Sequence, residues 1–124
     1  MNLRRTYFRG RARPGEMNRL ESEYASHLKA REVAGEIAWW KFEALKLKLA
    51  KLTTYTPDFI VMRADGLLEC HEVKPGSKGK PFMLDDAAAK LKVAAEHFPF
   101  LFVLAWWDRS EGWKFKEKIG RAHV

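Results

Sequence analysis

The stretch YTPDFIVMRADGLLECHEVKPG, residues 55–76, decides the fold. It holds two apolar segments of strand length joined by a short turn containing Gly, which predicts a β-hairpin. Three charged residues, Asp58, Glu72 and Lys74, interrupt these apolar segments. Either the hairpin has one solvated face with a salt-bridge patch, or the three side chains converge on a functional site.

The turn sets the register of this hairpin. A three-residue loop at residues 64–66, with its glycine in the left-handed conformation, places Asp58 directly opposite Glu72. Directly opposed residues project on the same face, and Lys74 shares that face because it lies two residues beyond Glu72. A two-residue loop would place Asp58 opposite Val73 instead and would separate the charged groups.

Two features of the hairpin favour a site. Pro57 cannot donate to a strand ladder, so it marks an edge or a local break in pairing beside Asp58. Two opposed carboxylates repel each other unless a cation or a proton lies between them. Carboxylate oxygens suit a hard cation such as Mg²⁺ or Mn²⁺. His71 faces away from this group, so we do not expect it to take part.

The segment before the hairpin predicts a helix and then strands. Asn18 is a plausible N-cap, apolar residues recur at helical spacing after it, and Gly35 is a natural stop. The alternating leucines of FEALKLKLA, residues 42–50, predict a half-buried strand. The preceding IAWWKF leads into that strand or forms a short strand of its own.

The segment after the hairpin predicts a loop, a helix and a strand. Residues 75–81 have the composition of a loop. Asp85 or Asp86 is expected to cap a second helix that Pro99 closes, and FLFVLAWW suits a central strand. The order is α-β-β-β-α-β, which predicts an α/β (α+β) fold with a mixed central sheet flanked by helices.

Composition indicates one domain of ordinary soluble type. The chain has 124 residues, 47% of them hydrophobic, with a single cysteine, Cys70. One cysteine excludes an internal disulfide and fits a reducing compartment. No apolar run is long enough to span a bilayer and the basic N-terminus lacks a signal-peptide core, so we expect a cytoplasmic protein with no membrane partner.

The net charge of +7 is concentrated at the N-terminus. Residues 1–16 predict a flexible basic arm, followed by a single domain over residues 17–124. A basic arm favours a polyanion such as DNA, and the alternative is a solubilising tail or a piece of upstream vector sequence. The candidate phosphate-binding residues of the arm are Arg4, Arg5, Arg9, Arg11 and Arg13.

The hairpin motif resembles that of a known superfamily. Pro57-Asp58, thirteen intervening residues and then Glu72-Val73-Lys74, on an αβββαβ frame, are similar to the PD-(D/E)XK nucleases. NRLESEYASHL, YTPDFIVM, ECHEVK and KLKVAAEHFP together resemble a small phage and prophage family related to endonuclease I-type Holliday-junction resolvases. The resemblance covers residues 18–105. It implies a restriction-endonuclease-like core in a phage- or prophage-encoded protein that acts in the cytoplasm of the bacterial host.

The resemblance also implies an activity, a metal-dependent DNA endonuclease with Mg²⁺ or Mn²⁺. Asp58 and Glu72 would ligate the metal together with the backbone carbonyl of Val73. Lys74 would orient or help to activate the attacking water and stabilise charge on the phosphate. Glu21 matches the glutamate of the first helix that completes the site, and Glu23 is its rival for that role.

Several basic residues are candidates for DNA contacts. Lys78 and Lys80 in the loop after the motif are placed to grip flanking phosphates, which positions the backbone without reading sequence. Lys90 and Lys92 match basic positions on the family's second helix, but they lie about 200° apart, so at most one reaches the site; we favour Lys90. The loop at 75–81 is longer than is typical of the family.

Three functions are compatible with these patterns. The first is a metal-dependent endonuclease, with branched or junction DNA as a candidate substrate. The second is a non-catalytic nucleic-acid-binding module with the same fold. The third is a structural subunit whose acidic pair binds a stabilising ion. By analogy with enzymes that act on symmetric junctions, the protein is expected to form a homodimer.

Overall fold

The computed structural model describes residues 15–119 of the chain. This part of the chain contains a five-stranded mixed sheet, two helices and two short accessory hairpins. The helices are α1 (Arg19–Val33) and α2 (Asp85–His97). The sheet strands are β1 (Ile37–Phe42), β4 (Phe59–Arg63), β5 (Leu68–Lys74), β8 (Leu101–Asp108) and β9 (Gly112–Ile119). The accessory hairpins pair β2 (Leu47–Ala50) with β3 (Thr53–Tyr55), and β6 (Gly76–Ser77) with β7 (Lys80–Pro81).

The order of strands across the sheet is β1-β4-β5-β8-β9. The β5–β8 pair is parallel and the other three pairs are antiparallel, so the sheet is mixed, as the sequence predicted. The apolar run that forms β8 lies between β5 and β9, which confirms the expectation of a central strand. An edge position would have exposed this run on one side.

Helix α1 begins and ends at the residues that the sequence indicated. The Asn18 side chain accepts a hydrogen bond from the Glu21 N–H, and the Glu21 carboxylate accepts one from the Asn18 N–H, a reciprocal capping box. At the other end Gly35 adopts φ +80°. The N–H of Glu36 then donates to the carbonyl of Arg31 and closes the helix.

The two helices cover opposite faces of the sheet. We call the face bearing Cys70, Glu72 and Lys74 the front face, and α2 packs there through an apolar cluster that includes Cys70 and Leu91. We call the opposite face the back face, and α1 packs there through Tyr24. The core therefore forms two layers, one on each side of β5.

The register of the central hairpin agrees with the prediction. The structure pairs Phe59 with His71 and Ile60 with Cys70, the alignment that a three-residue loop requires. Gly66 takes φ +91°, the left-handed conformation that closes such a loop. This result rejects the two-residue alternative.

Five features of the fold differ from the prediction, and one is β9, a sheet strand that the predicted order lacked. The alternating leucines do not join the main sheet; IAWWKF forms its first strand, and β2 pairs with β3 outside it. Period-2 alternation indicates a half-buried strand but not which sheet it joins. The first apolar segment of the hairpin does not form one continuous strand, because Tyr55 ends β3 and β4 starts at Phe59. Pro57 lies in this break, where no strand hydrogen bond needs the N–H that proline lacks.

The other two differences lie between β5 and α2. Neither Asp85 nor Asp86 caps α2; the cap position is Leu84, which makes no side-chain capping bond, and the two acids occupy the first turn. The helix dipole favours acids in the first turn as well as at the cap. The two acids therefore did not determine at which residue the helix begins. The expected loop at residues 75–81 contains the β6–β7 hairpin.

Neither α1 nor α2 is long and apolar enough to span a membrane.

Candidate active site

Asp58 lies in the break between β3 and β4, beside the end of β5. Its Oδ2 accepts a hydrogen bond of 2.8 Å from the backbone N–H of Val73. Its backbone carbonyl accepts one of 2.9 Å from the N–H of Glu43 at the end of β1. Asp58 is therefore held from both neighbouring strands, which fixes the carboxylate close to the Glu72–Lys74 end of β5.

Glu72 lies on the front face between Tyr55 and Lys74, and it is 7% exposed. Its Oε1 accepts a 2.6 Å hydrogen bond from the Tyr55 hydroxyl. Its Oε2 lies 3.2 Å from Nζ of Lys74. The three residues form a connected network, in which the lysine charge and the phenol hydrogen each satisfy one oxygen of a buried carboxylate.

Tyr55 was missed by sequence reasoning. Burial raises its pKa, and the neighbouring Glu72 carboxylate, which accepts its hydrogen bond, raises it further, so the phenol stays protonated and acts as a donor. The only sequence signal was its position three residues before Asp58, across the proline break. That signal does not indicate where the side chain points.

The N-terminal turn of α1 brings Glu21 toward the same end of the sheet. Partial burial is the main cause that raises the pKa of Glu21, and the carboxylates of Glu43 and Glu72 raise it further. The charge of Lys74 lowers it. The rival Glu23 points into solvent, where it pairs with Arg19 at 3.4 Å. Of these two acids, Glu21 is the one that interacts electrostatically with Glu72 and Lys74.

Glu43 is a further acid that the sequence did not indicate. It follows β1 with φ +46°, a left-handed conformation unusual for a residue other than glycine. Its Oε1 accepts a 3.2 Å hydrogen bond from the N–H of Gly15. Its charge acts on Glu21, whose pKa it raises.

The pKa of Asp58 shows the electrostatic consequence. Burial raises the pKa of this carboxyl well above its usual range, and the charges of Glu72 and Glu21 raise it further. The hydrogen bond from Val73 and the charge of Lys74 lower it but do not compensate. The site thus concentrates more negative charge than its own cation neutralises, an arrangement that a bound divalent cation would relieve.

The donor set suits a hard cation, because it consists of carboxylates. Within residues 15–119, however, no three His, Cys, Asp or Glu side chains stand together in an arrangement that holds a metal ion. Glu21 is engaged in its capping box and Glu72 in its bonds to Tyr55 and Lys74. Each carboxylate keeps lone pairs that these bonds leave free, so its present partners do not by themselves prevent it from ligating a metal. The carbonyl role of Val73 stays a prediction.

The basic residues expected to contact DNA fall into three groups. Lys78 and Lys80 are exposed on the β6–β7 hairpin that directly follows Lys74. Lys90 and Lys92 are exposed on α2. The arginines of the arm, residues 4–13, lie outside the described part of the chain.

The back face carries a separate polar cluster around His71, which is 1% exposed. Nδ1 of His71 lies 2.5 Å from the Tyr24 hydroxyl, and its Nε2 lies 2.7 Å from Oε1 of Glu69. The cluster borders a cavity of about 580 Å³ that His27 and Arg31 also line. As predicted, His71 faces away from Asp58 and Glu72.

No protein-family model, curated protein or solved structure matches this chain. The geometry of the site is therefore the basis for assigning a function.

Proposed function

We propose that the protein is a metal-dependent DNA endonuclease of the PD-(D/E)XK type, with Mg²⁺ or Mn²⁺ as cofactor. One observation carries the proposal: the hairpin register sets Asp58 beside the end of β5 that bears Glu72 and Lys74, with Oδ2 of Asp58 bonded to the Val73 N–H at 2.8 Å. This is the arrangement that the motif requires, and a one-residue slip would destroy it.

The chemistry follows from the substrate. A phosphodiester is anionic and resists attack, so its hydrolysis needs positive charge at the phosphate and a deprotonated water. A divalent ion held by Asp58 and Glu72 would supply that charge and acidify water. Lys74, held 3.2 Å from Glu72, orients the attacking water and neutralises charge that develops on the phosphate.

Tyr55 and Glu21 support this arrangement from two sides. Tyr55 holds Glu72 through its hydroxyl, which limits the conformations open to the carboxylate before a metal binds. Glu21 would add a third carboxylate from the first turn of α1, since the charges of Glu72 and Lys74 act on it. Exchange of its capping bond for a metal would connect metal binding to the start of α1.

A nucleic-acid-binding module without cleavage is the second candidate. It is favoured by the observation that, among the described residues, the acids are satisfied by hydrogen bonds and by Lys74 rather than grouped around a metal position. This candidate keeps the basic residues as the functional surface. It predicts DNA binding that is indifferent to divalent ions.

The experiment is a cleavage assay on the full chain. Supercoiled, branched and single-stranded DNA are incubated with Mg²⁺ or Mn²⁺, with an EDTA control and with Glu72→Gln. We expect cleavage that requires the metal and falls by at least about 100-fold in Glu72→Gln. The branched substrate tests the further expectation of selectivity for junctions.

Glu96→Gln is the matched control, since Glu96 is an exposed acid on α2. It should cleave as the wild type does. Cleavage that survives Glu72→Gln would overturn the site, and DNA binding without metal-dependent cleavage would favour the binding module.

A further inference from the structure

The C-terminal strand β9 carries lysines on the same face of the sheet as the candidate active site. It is the edge strand beside β8. The register pairs Leu104 of β8 with Lys116, and Trp106 of β8 with Lys114. Directly opposed residues share a face, so both lysines belong to one side of the sheet.

The neighbouring register shows which side this is. On β5, Glu72 pairs with Leu104 and Lys74 pairs with Trp106. Two rows of side chains therefore cross the front face from β5 through β8 to β9. One row is Glu72, Leu104 and Lys116, and the other is Lys74, Trp106 and Lys114. With adjacent strands about 4.8 Å apart, each β9 lysine lies roughly 10 Å across the sheet from the acid or lysine of its row.

The other face of β9 has a different composition. Trp113 and Phe115 alternate with the lysines, and both rings contact Tyr24 of α1 on the back face. Glu117, two residues after Phe115, lies on the same face of the strand. Among residues 113–117, then, positive charge lies on the site's face alone, and the back face carries aromatic rings and an acid.

The β6–β7 hairpin brings further positive charge beside these lysines. The carbonyl of Gly79 accepts a 3.0 Å hydrogen bond from the Trp106 indole N–H, which fixes the hairpin against the row that ends in Lys114. A Cβ at Gly76 would stand 2.0 Å from the carbonyl oxygen of Trp107, so this approach requires glycine. Lys78 and Lys80 are thereby held on the β8–β9 side of the site.

Lys114 and Lys116 remain accessible to a ligand. Lys116 is exposed, and the side chain of Lys114 is 38% exposed, with its Nζ 3.1 Å from the exposed Glu111. An ion pair at the surface contributes little and is readily exchanged for a stronger anion. A phosphate can therefore compete for Lys114.

We propose that Lys114 and Lys116 form a phosphate-binding edge, which holds the sugar-phosphate backbone of the DNA on the β9 side of the scissile bond. The proposal rests on the endonuclease function and specifies where its substrate lies. It places the strand across the front face between the β6–β7 hairpin and the sheet edge. Because these contacts reach only phosphates, they contribute affinity without sequence preference.

Edge lysines also protect sheets from pairing with other chains, and this alternative needs a separate readout. Edge protection predicts that removing the lysines promotes association of the protein. It does not predict a change in the salt dependence of DNA binding. The segregation of the lysines onto the site's face favours the phosphate-binding role, since edge protection does not require one face.

The test measures binding without cleavage. Fluorescence anisotropy of a labelled branched DNA and a labelled duplex is recorded in EDTA over a range of salt concentrations, for the wild type and for Lys114→Gln/Lys116→Gln. We expect the variant to bind about tenfold more weakly and its salt slope on the duplex to fall by roughly 2, because two phosphate contacts are lost. Lys114→Arg/Lys116→Arg should restore both values.

Lys29→Gln/Lys51→Gln is the matched control, because it removes two exposed lysines that lie on α1 and at the β2–β3 turn. Thermal unfolding and size-exclusion chromatography verify that each variant is folded and monitor association. An unchanged affinity and salt slope in the β9 variant would overturn this inference while leaving metal-dependent cleavage intact. A wild-type protein that neither binds nor cleaves DNA would overturn the inference and the proposed function together.

Discussion

The backbone N–H of Val73 donates a 2.8 Å hydrogen bond to Oδ2 of Asp58. This bond joins a residue in a strand break to the strand that carries Glu72 and Lys74. It places a carboxylate with a raised pKa beside another acid that is 7% exposed. Such an arrangement weakens the fold in order to concentrate charge, and it leads to a stability prediction.

Asp58→Asn should stabilise the metal-free protein at neutral pH. The folded-state pKa of Asp58 is raised by burial and then by Glu72, so ionisation of Asp58 favours unfolding as pH rises through that pKa. Asparagine keeps an oxygen that accepts from Val73 and removes the charge. We expect a gain of roughly 1 kcal/mol, or about 4 °C in Tm, by thermal unfolding in EDTA.

The pH dependence of this gain is its control. Below the unfolded-state pKa, near 3.8, Asp58 is protonated in both states and the substitution should have little effect. A variant that is less stable than the wild type at neutral pH, or a gain that does not change with pH, would show that Asp58 is not held under electrostatic strain.

Glu21→Gln and Glu23→Gln separate the two helix acids. Glutamine at position 21 retains the capping box, since its side-chain oxygen also accepts from the Asn18 N–H. Helix α1 should therefore persist, while cleavage should fall by about 10-fold or more because a charged ligand is lost. Glu23→Gln should cleave normally, because Glu23 pairs only with Arg19 at the surface.

Circular dichroism and cleavage rates test this pair together. Equal loss of cleavage in both variants, or a loss in Glu23→Gln alone, would contradict the assignment of Glu21.

Acid should destabilise the protein through His71. Burial lowers the pKa of His71 below its ordinary 6.5. The unfolded chain therefore binds more protons as pH falls through this range, and stability present above about pH 6.5 is lost below it. The slope is at most about 1.4 kcal/mol per pH unit for one histidine.

The comparison is best made in the Asp58→Asn background, because Asp58 titrates with the opposite sign. Urea unfolding between pH 7.5 and pH 5 should give a smaller slope in His71→Gln than in the parent. His27 also contributes, since burial lowers its pKa too. An identical slope with and without His71 would rule out its titration as the cause.

Much of the site's frame could be predicted from the hairpin sequence, because it depends on local rules. A single glycine fixed the loop length, loop length fixed the register, and period-2 alternation placed Glu72 and Lys74 on one face. Pro57 marked the break that the structure has between β3 and β4. The capping box of α1 was equally local, with Asn18 and Glu21 three residues apart.

The parts that could not be predicted depend on contacts between distant segments. Tyr55 reaches Glu72 across 17 residues of sequence. Glu43 comes close to Asp58 only because β1 pairs with β4, and the sequence left open whether IAWWKF was a strand of the main sheet. The β9 lysines are similar, because the predicted element order ended at the strand FLFVLAWW, and the faces of β9 follow only from its register with β8.

Metal binding to the full chain tests the central claim most directly. Isothermal titration with Mg²⁺ or Mn²⁺ is performed on the wild type, Asp58→Asn, Glu72→Gln and the surface control Glu96→Gln. We expect the wild type and the control to bind alike, and each site variant to bind at least about tenfold more weakly. Equal binding by all four proteins, or no binding by the wild type, would contradict the claim that Asp58 and Glu72 hold the metal.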